Sequence, residues 1–110
     1  MMRNMTKLPS GQQVSWLEAG PTDGHTVVLL HGGGADNDRL SWGATAELLA
    51  ERGYHVVAPD HPGYGQSPKS QGYATMKNQV DYVNEFLDER ALGDYDLVGI
   101  SMGGVMAIGH

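Results

Sequence analysis

The stretch Asp96-Leu97-Val98-Gly99-Ile100-Ser101-Met102-Gly103-Gly104-Val105-Met106-Ala107 decides how this chain is read. Leu97 to Ile100 is a short apolar run that reads as a buried strand. It breaks at a serine flanked by glycines and resumes as a second apolar run, so Gly99-Ile100-Ser101-Met102-Gly103 satisfies G-x-S-x-G, the strand–turn–helix pattern of a nucleophile elbow. A serine at the tip of so sharp a turn sits in strained backbone, with chain crowding it on both sides. The residues two before and two after must lack a bulky Cβ, which Gly99 and Gly103 provide. Gly104 lets the following helix approach the strand. The N–H groups at the start of that helix point at whatever charge develops on the reacting group.

Working outward, 110 residues make at most one small domain. A hydrophobic content of 40% with 18% charged residues fits a globular chain rather than a disordered one. The net charge of −6 and the lack of any basic block exclude nucleic acid as an expected partner. With no cysteine, disulfides, thiolate catalysis and Cys-based metal sites are all excluded. The beginning, Met1-Met2-Arg3-Asn4-Met5-Thr6-Lys7, lacks the apolar core of a signal peptide, and no run approaches the ~20 apolar residues of a membrane span. The expectation is a cytoplasmic protein without membrane partners and of unspecified oligomeric state.

Residues 1–11 read as a flexible leader and 12–110 as the folded part. Gln13 to Ala19 alternates as a strand does, with Val14 and Trp16 on one face and Leu17 and Ala19 on the other. Gly20-Pro21-Thr22-Asp23-Gly24 is turn chemistry. Thr26-Val27-Val28-Leu29-Leu30 suits a strand covered on both faces, as in a parallel sheet, and it runs into His31-Gly32-Gly33-Gly34. Ser41 is the expected N-cap of a helix over Trp42 to Arg52. Trp42, Thr45, Leu48, Leu49 and Arg52 would share its inner face, with Gly53 in the left-handed position that ends it. Tyr54 to Ala58 is the next strand. It stops at the Pro- and Gly-rich Pro59-Asp60-His61-Pro62-Gly63-Tyr64-Gly65-Gln66-Ser67. Thr75 to Leu92 carries Met76, Val80, Val83 and Leu87 at helical spacing, and Gly93 closes that helix. Strands alternating with helices predict an α/β chain, a parallel sheet with flanking helices joined by right-handed crossovers.

Three motifs now stand in order, each after a strand: His31-Gly32-Gly33-Gly34, Asp60-His61-Pro62-Gly63-Tyr64-Gly65-Gln66-Ser67, and Gly99-Ile100-Ser101-Met102-Gly103-Gly104. On these the chain resembles the serine-nucleophile branch of the α/β-hydrolase superfamily, from about its first strand to its last residue. The resemblance implies that Ser101 is the nucleophile. It also implies that the N–H of Met102 supplies half of an oxyanion hole and the N–H of Gly33, or of its neighbour Gly34, the other half. Losing one such donor typically costs ~3–4 kcal/mol of transition-state stabilisation. It implies no metal and no organic cofactor, and a small-molecule substrate. The combination of motifs resembles the branch of carboxylesterase-like acyl and carbon–carbon bond hydrolases, which implies a small apolar substrate. A serine at 101 rather than a carboxylate argues against dehalogenase or epoxide-hydrolase chemistry.

Other readings of the same residues fare worse. G-x-G-x-x-G would need glycine where Asn37 stands, and no G-K-[ST] exists, so dinucleotide and P-loop sites fail. Asp60 and His61 read as a tight turn bracing the neighbouring loops rather than as catalysts. His31 is structural or shapes the pocket. His55 lies within a strand with no spaced set of metal ligands around it. Trp42 and Tyr64 are packing residues.

The resemblance also implies a triad in the chain order Ser, Asp or Glu, His. The nine residues after Ser101 contain no carboxylate and one histidine, His110. On a helix beginning beside Ser101, His110 stands ~13 Å away, out of reach as the general base. His25, His31, His55 and His61 precede the serine. The expectation is therefore the N-terminal part of an α/β-hydrolase fold ending just after the elbow, inactive as an isolated 110-residue chain and part of a longer enzyme. Two other classes stay open: a non-catalytic binding protein on the same scaffold, and a half-domain complemented by a second chain.

Overall fold

The computed structural model describes residues 2–31, 38–60 and 76–99. Among them, five strands and two helices follow one another as β1 (Met2–Lys7), β2 (Gln13–Ala19), β3 (Thr26–Leu30), α1 (Asp38–Glu51), β4 (His55–Pro59), α2 (Met76–Arg90) and β5 (Tyr95–Gly99). The strands form one sheet in the order β1-β2-β4-β3-β5.

The sheet is mixed: its parallel part, expected from the alternation of strands and helices, is β4-β3-β5, and β2 and β1 extend it antiparallel. β3 runs parallel to both β4 and β5, whereas β2 is antiparallel to both β4 and β1. The reason lies in the connections. A strand that follows its neighbour through a short turn must reverse, and only a crossover through a helix restores the direction. β1 and β2 are joined by such a turn, closed by hydrogen bonds from the Leu8 N–H to the Gln12 carbonyl and from the Gly11 N–H to the Leu8 carbonyl.

The expected leader is thus a strand over most of its length. Met2 to Lys7 carries neither a β-branched run nor a clean alternation. Its conformation comes from register with β2, Met2 opposite Glu18 through Lys7 opposite Gln13, and from Leu8, whose side chain is buried in the core. Ser10 adds a tie to α2, its N–H and hydroxyl both donating to the Glu85 carboxylate.

The expected two faces of β2 extend across the whole sheet. On one face Val14, Trp16, Val28, Leu30 and Val57 pack against Tyr82, Val83, Phe86 and Leu87 of α2. Trp16 and Phe86 meet edge to face with ring centroids 5.7 Å apart, and the Arg90 guanidinium lies 5.2 Å from the centre of the Trp16 ring. On the other face Leu17, Ala19, Val27, Leu29, Val56 and Ala58 pack against Ala46, with Trp42, Leu49 and Ala50 beside them. Each large side chain fully buried in these layers contributes about 1.5–3 kcal/mol of transfer free energy. The helices lie on opposite faces for a topological reason: α1 carries the chain from β3 to β4, and α2 carries it back across β3 to β5. Right-handed crossovers in opposite directions must cover opposite faces.

Helix boundaries depart from the sequence reading at three points. α1 begins at Asp38, so Ser41 lies inside the helix rather than capping it; an aspartate suits a first turn, where the helix dipole favours negative charge. Its inner face is Trp42, Ala46, Leu49 and Ala50, while Leu48 is 51% exposed. Small residues let the helix settle close to the sheet, and Gly20 completes the fit: a Cβ there would collide with the Tyr54 carbonyl and crowd the Ala50 Cα. The C-terminus of α1 is as expected. Gly53 takes φ +89°, its N–H donating to the Ala50 carbonyl and that of Tyr54 to the Leu49 carbonyl, a Schellman cap. Using Tyr54 in this cap moves the start of β4 to His55. α2 ends sooner than expected. Its left-handed residue is Ala91, at φ 49°, and Gly93 makes a second turn at φ 72°. Between them, Leu92 is placed against the core.

β5 ends the strand order, and Val98 on it is 41% exposed. At its first residue, burial and then the Asp88 carboxylate hold the Tyr95 phenol above its usual pKa.

Candidate active site

Parallel strands have a common upper edge, and in open α/β sheets ligands bind there, where the connections leaving adjacent strands diverge to opposite faces. β3 feeds α1 on one face and its neighbour β4 feeds α2 on the other. The divergence is therefore at the C-terminal ends of these strands. Leu30 pairs with Gly99, so β3 and β5 end level. β3 also pairs with β4, from Thr26 opposite His55 to Val28 opposite Val57. The three sequence motifs thus leave the same edge of the sheet from adjacent strands.

Ser101, Met102, Gly33 and Gly34, the expected nucleophile and oxyanion donors, lie outside the described residues, as do His61, Tyr64 and His110. The described part of the site is its floor. His31 is fully buried directly beyond β3. Asp60 is 1% exposed, and the groups around it account for that burial. Nη1 of Arg3 lies 3.0 Å from Asp60 Oδ2 and donates also to Ser15 Oγ at 2.9 Å. The Asp60 N–H donates to the Ser15 carbonyl at 2.8 Å, and the Asp60 carbonyl accepts from the Tyr82 hydroxyl at 3.4 Å. A carboxylate engaged in this way braces the strand end.

The other described histidines stand at the opposite, lower edge. His55 on β4 lies between Thr26 Oγ1, 3.1 Å from Nδ1, and Glu18 Oε2, 2.6 Å from Nε2. A carboxylate only accepts, so Nε2 carries a proton, and in the neutral ring Nδ1 accepts from the Thr26 hydroxyl. Hydroxyl, imidazole and carboxylate in line have the composition of a nucleophilic relay. Thr26, however, is buried within the sheet, so no substrate carbonyl reaches its oxygen. The relay is a clamp across β3, β4 and β2. His25, level with it, pairs with Asp96 at 3.1 Å on the surface. Among the described residues no group of three or more His, Asp or Glu side chains is placed to hold a metal ion, and no helix is long and apolar enough to cross a membrane.

Arg3, Ser15 and Tyr82 are the participants that sequence reading missed. One signal was available. A buried aspartate at the end of a strand calls for a cation, and the chain has only seven lysines and arginines from which to choose.

Comparison with known proteins agrees with this frame. The chain is 30% identical over 109 residues to an (E)-2-((N-methylformamido)methylene)succinate hydrolase of Acinetobacter baylyi, covering 99% of this chain and 40% of that protein. It is 34% identical over 101 residues to a 2-hydroxy-6-oxo-6-(2'-aminophenyl)hexa-2,4-dienoic acid hydrolase of Metapseudomonas resinovorans, covering 90% and 34%. Among solved structures, the haloalkane dehalogenase DbeA-M1 loop variant from Bradyrhizobium elkanii superposes with a TM-score of 0.86 at 28% identity, over 96% of this chain and 34% of that one. The chain spans two fifths or less of the length of these proteins. A model of the Alpha/beta hydrolase family matches residues 27–110, and the chain belongs to that family.

Proposed function

We propose that the protein carrying this chain is a hydrolase that uses Ser101 as its nucleophile on a small substrate, in carboxylesterase-like acyl or carbon–carbon bond cleavage. One observation carries the reading: Leu30 and Gly99 are paired on adjacent parallel strands. The His31-Gly32-Gly33-Gly34 and Gly99-Ile100-Ser101-Met102-Gly103 segments therefore start side by side, as a nucleophile and the donors facing its oxyanion require. In this mechanism Ser101 Oγ attacks the electrophilic carbon. The N–H groups of Met102 and of Gly33, or Gly34 in its place, receive the oxyanion. The described His25 and His55 stand at the lower edge and do not supply the general base, and Asp60 is ion-paired with Arg3. The relatives named as hydrolases support the reaction class, and the substrates in their names, a succinate derivative and a dienoic acid, support a small organic substrate.

The test is labelling of the complete protein by a tagged alkyl fluorophosphonate, in which Oγ bonds to phosphorus and fluoride leaves. Modification is expected at Ser101 and is expected to vanish in Ser101→Ala. Labelling that survives this substitution overturns the assignment.

A further inference from the structure

The geometry points to Arg3, on the outermost strand β1, as a positioning residue of the catalytic edge, acting through Asp60. The inference rests on the proposed role of Ser101 and adds a residue that no motif contains. Arg3 is the one described cation bonded to Asp60 in an ion pair, and a single nitrogen, Nη1, bridges Ser15 of β2 and Asp60 at the end of β4. Arg3 is 28% exposed and Asp60 1%. The arginine keeps contact with water while the carboxylate has left it, so the cost of burying charge falls on Asp60.

The backbone of Asp60 is already fixed on both sides, by the Ser15 carbonyl and the Tyr82 hydroxyl. Removing the cation takes from that fixed point the ion pair that offsets its buried charge. The charge is relieved by taking up a proton or by moving toward solvent. Movement displaces the end of β4, the strand paired with β3, from which the glycine segment expected to hold the oxyanion departs. Displacements of ~1 Å at a reacting centre cost up to about a hundredfold in rate. Ser101 itself follows β5, beyond β3, and is not touched by the pair. The effect therefore falls on orientation and not on the identity of the nucleophile.

The experiment is the second-order rate of Ser101 labelling by the same fluorophosphonate in the complete protein, measured well below each variant's melting temperature and normalised to the folded fraction. Arg3→Met is expected to slow labelling about tenfold, and Arg3→Lys, which keeps a cation, to stay within about threefold of the wild type. Asp60→Asn serves where Arg3→Met folds poorly, because it leaves the charge on the part-exposed arginine; it is expected to slow labelling to a similar degree. The double variant Arg3→Met/Asp60→Asn is expected to be no slower than the slower single one, since both act through one contact. The assignment of Arg3 is overturned if Arg3→Met or Asp60→Asn labels at the wild-type rate, if Arg3→Lys is as slow as Arg3→Met, or if the two single effects multiply. Wild-type protein that is not labelled at Ser101 overturns the nucleophile assignment and this inference with it. That result is distinct from all the others.

Discussion

The two ends of the sheet are built on the same plan and put to different use. At the lower end Thr26, His55 and Glu18 cross three strands, on the face covered by α2. At the upper end Arg3, Ser15 and Asp60 cross three strands, on the face covered by α1. Each row follows strand register. Thr26 is directly opposite His55, and Glu18 sits diagonally to it, opposite Val57. The difference is in what lies beyond. Below are tight turns and helix caps: the Gly20 turn, the Gly53 cap, the Ala91 exit. Above are the three motif-bearing segments. The lower row stabilises the frame. The upper row stabilises the frame at the edge from which the segments proposed to be catalytic leave it.

Substitutions can break this division of labour or sharpen it. The largest effect is expected at the upper end. Arg3→Met leaves a carboxylate buried without its cation and should lower unfolding free energy by about 3 kcal/mol, read from urea denaturation. At the lower end Glu18→Gln keeps an acceptor for His55 Nε2 but loses the charge on it. The expected cost is about 1–2 kcal/mol with no change in Ser101 labelling per folded molecule. A Glu18→Gln protein that folds normally yet labels as slowly as Arg3→Met would show that the two ends are not separable. Ala91→Gly, also at the lower end, relieves left-handed backbone at a non-glycine residue and should raise stability by about 0.5–1 kcal/mol, again without altering labelling.

The smallest effect concerns Tyr95, whose phenol is held above its ordinary pKa near 10 by burial first and by Asp88 second. The folded state favours the neutral ring. Its contribution is complete below pH 10 and is lost as pH rises through the folded-state pKa. Tyr95→Phe should therefore have a flatter decline in urea midpoint above pH 10 than the wild type, with parallel behaviour between pH 7 and 9.

What could be read from the sequence divides along the same line. β2 and α2 were legible because their core faces repeat at the period of their own backbone: Val14 and Trp16 against Leu17 and Ala19, or Val83 and Leu87 one helical turn apart. β3 and β4 were legible because short unbroken apolar runs suit strands covered on both faces. β1 was not, because Met2 to Lys7 is a strand by virtue of its partner. Its membership in the sheet is a nonlocal fact. The face of α1 was misjudged at Leu48 because alanines, chosen for close approach, carry little hydrophobic signal. Ser101, Met102 and the Gly33 segment are read from motif alone, since a sharp turn constrains residue type at fixed offsets. The brace between Arg3 and Asp60 was not legible. Arg3 and Asp60 are 57 positions apart, and no local pattern links them.

The order of strands sets a schedule for synthesis. β2 and β3 adjoin in sequence but not in space, because β4 is wedged between them, with Trp16 pairing with Pro59 and Ala19 with Val56. As the chain leaves the ribosome, the β1–β2 hairpin can close at once, yet the inner edge of β2 has no lasting partner until β4 emerges. At ~5–20 residues per second that wait is roughly several seconds. Throughout it, Trp16 and Leu17 belong to a half-built sheet, and a premature pairing of β2 with β3 has to be undone before β4 can take its place.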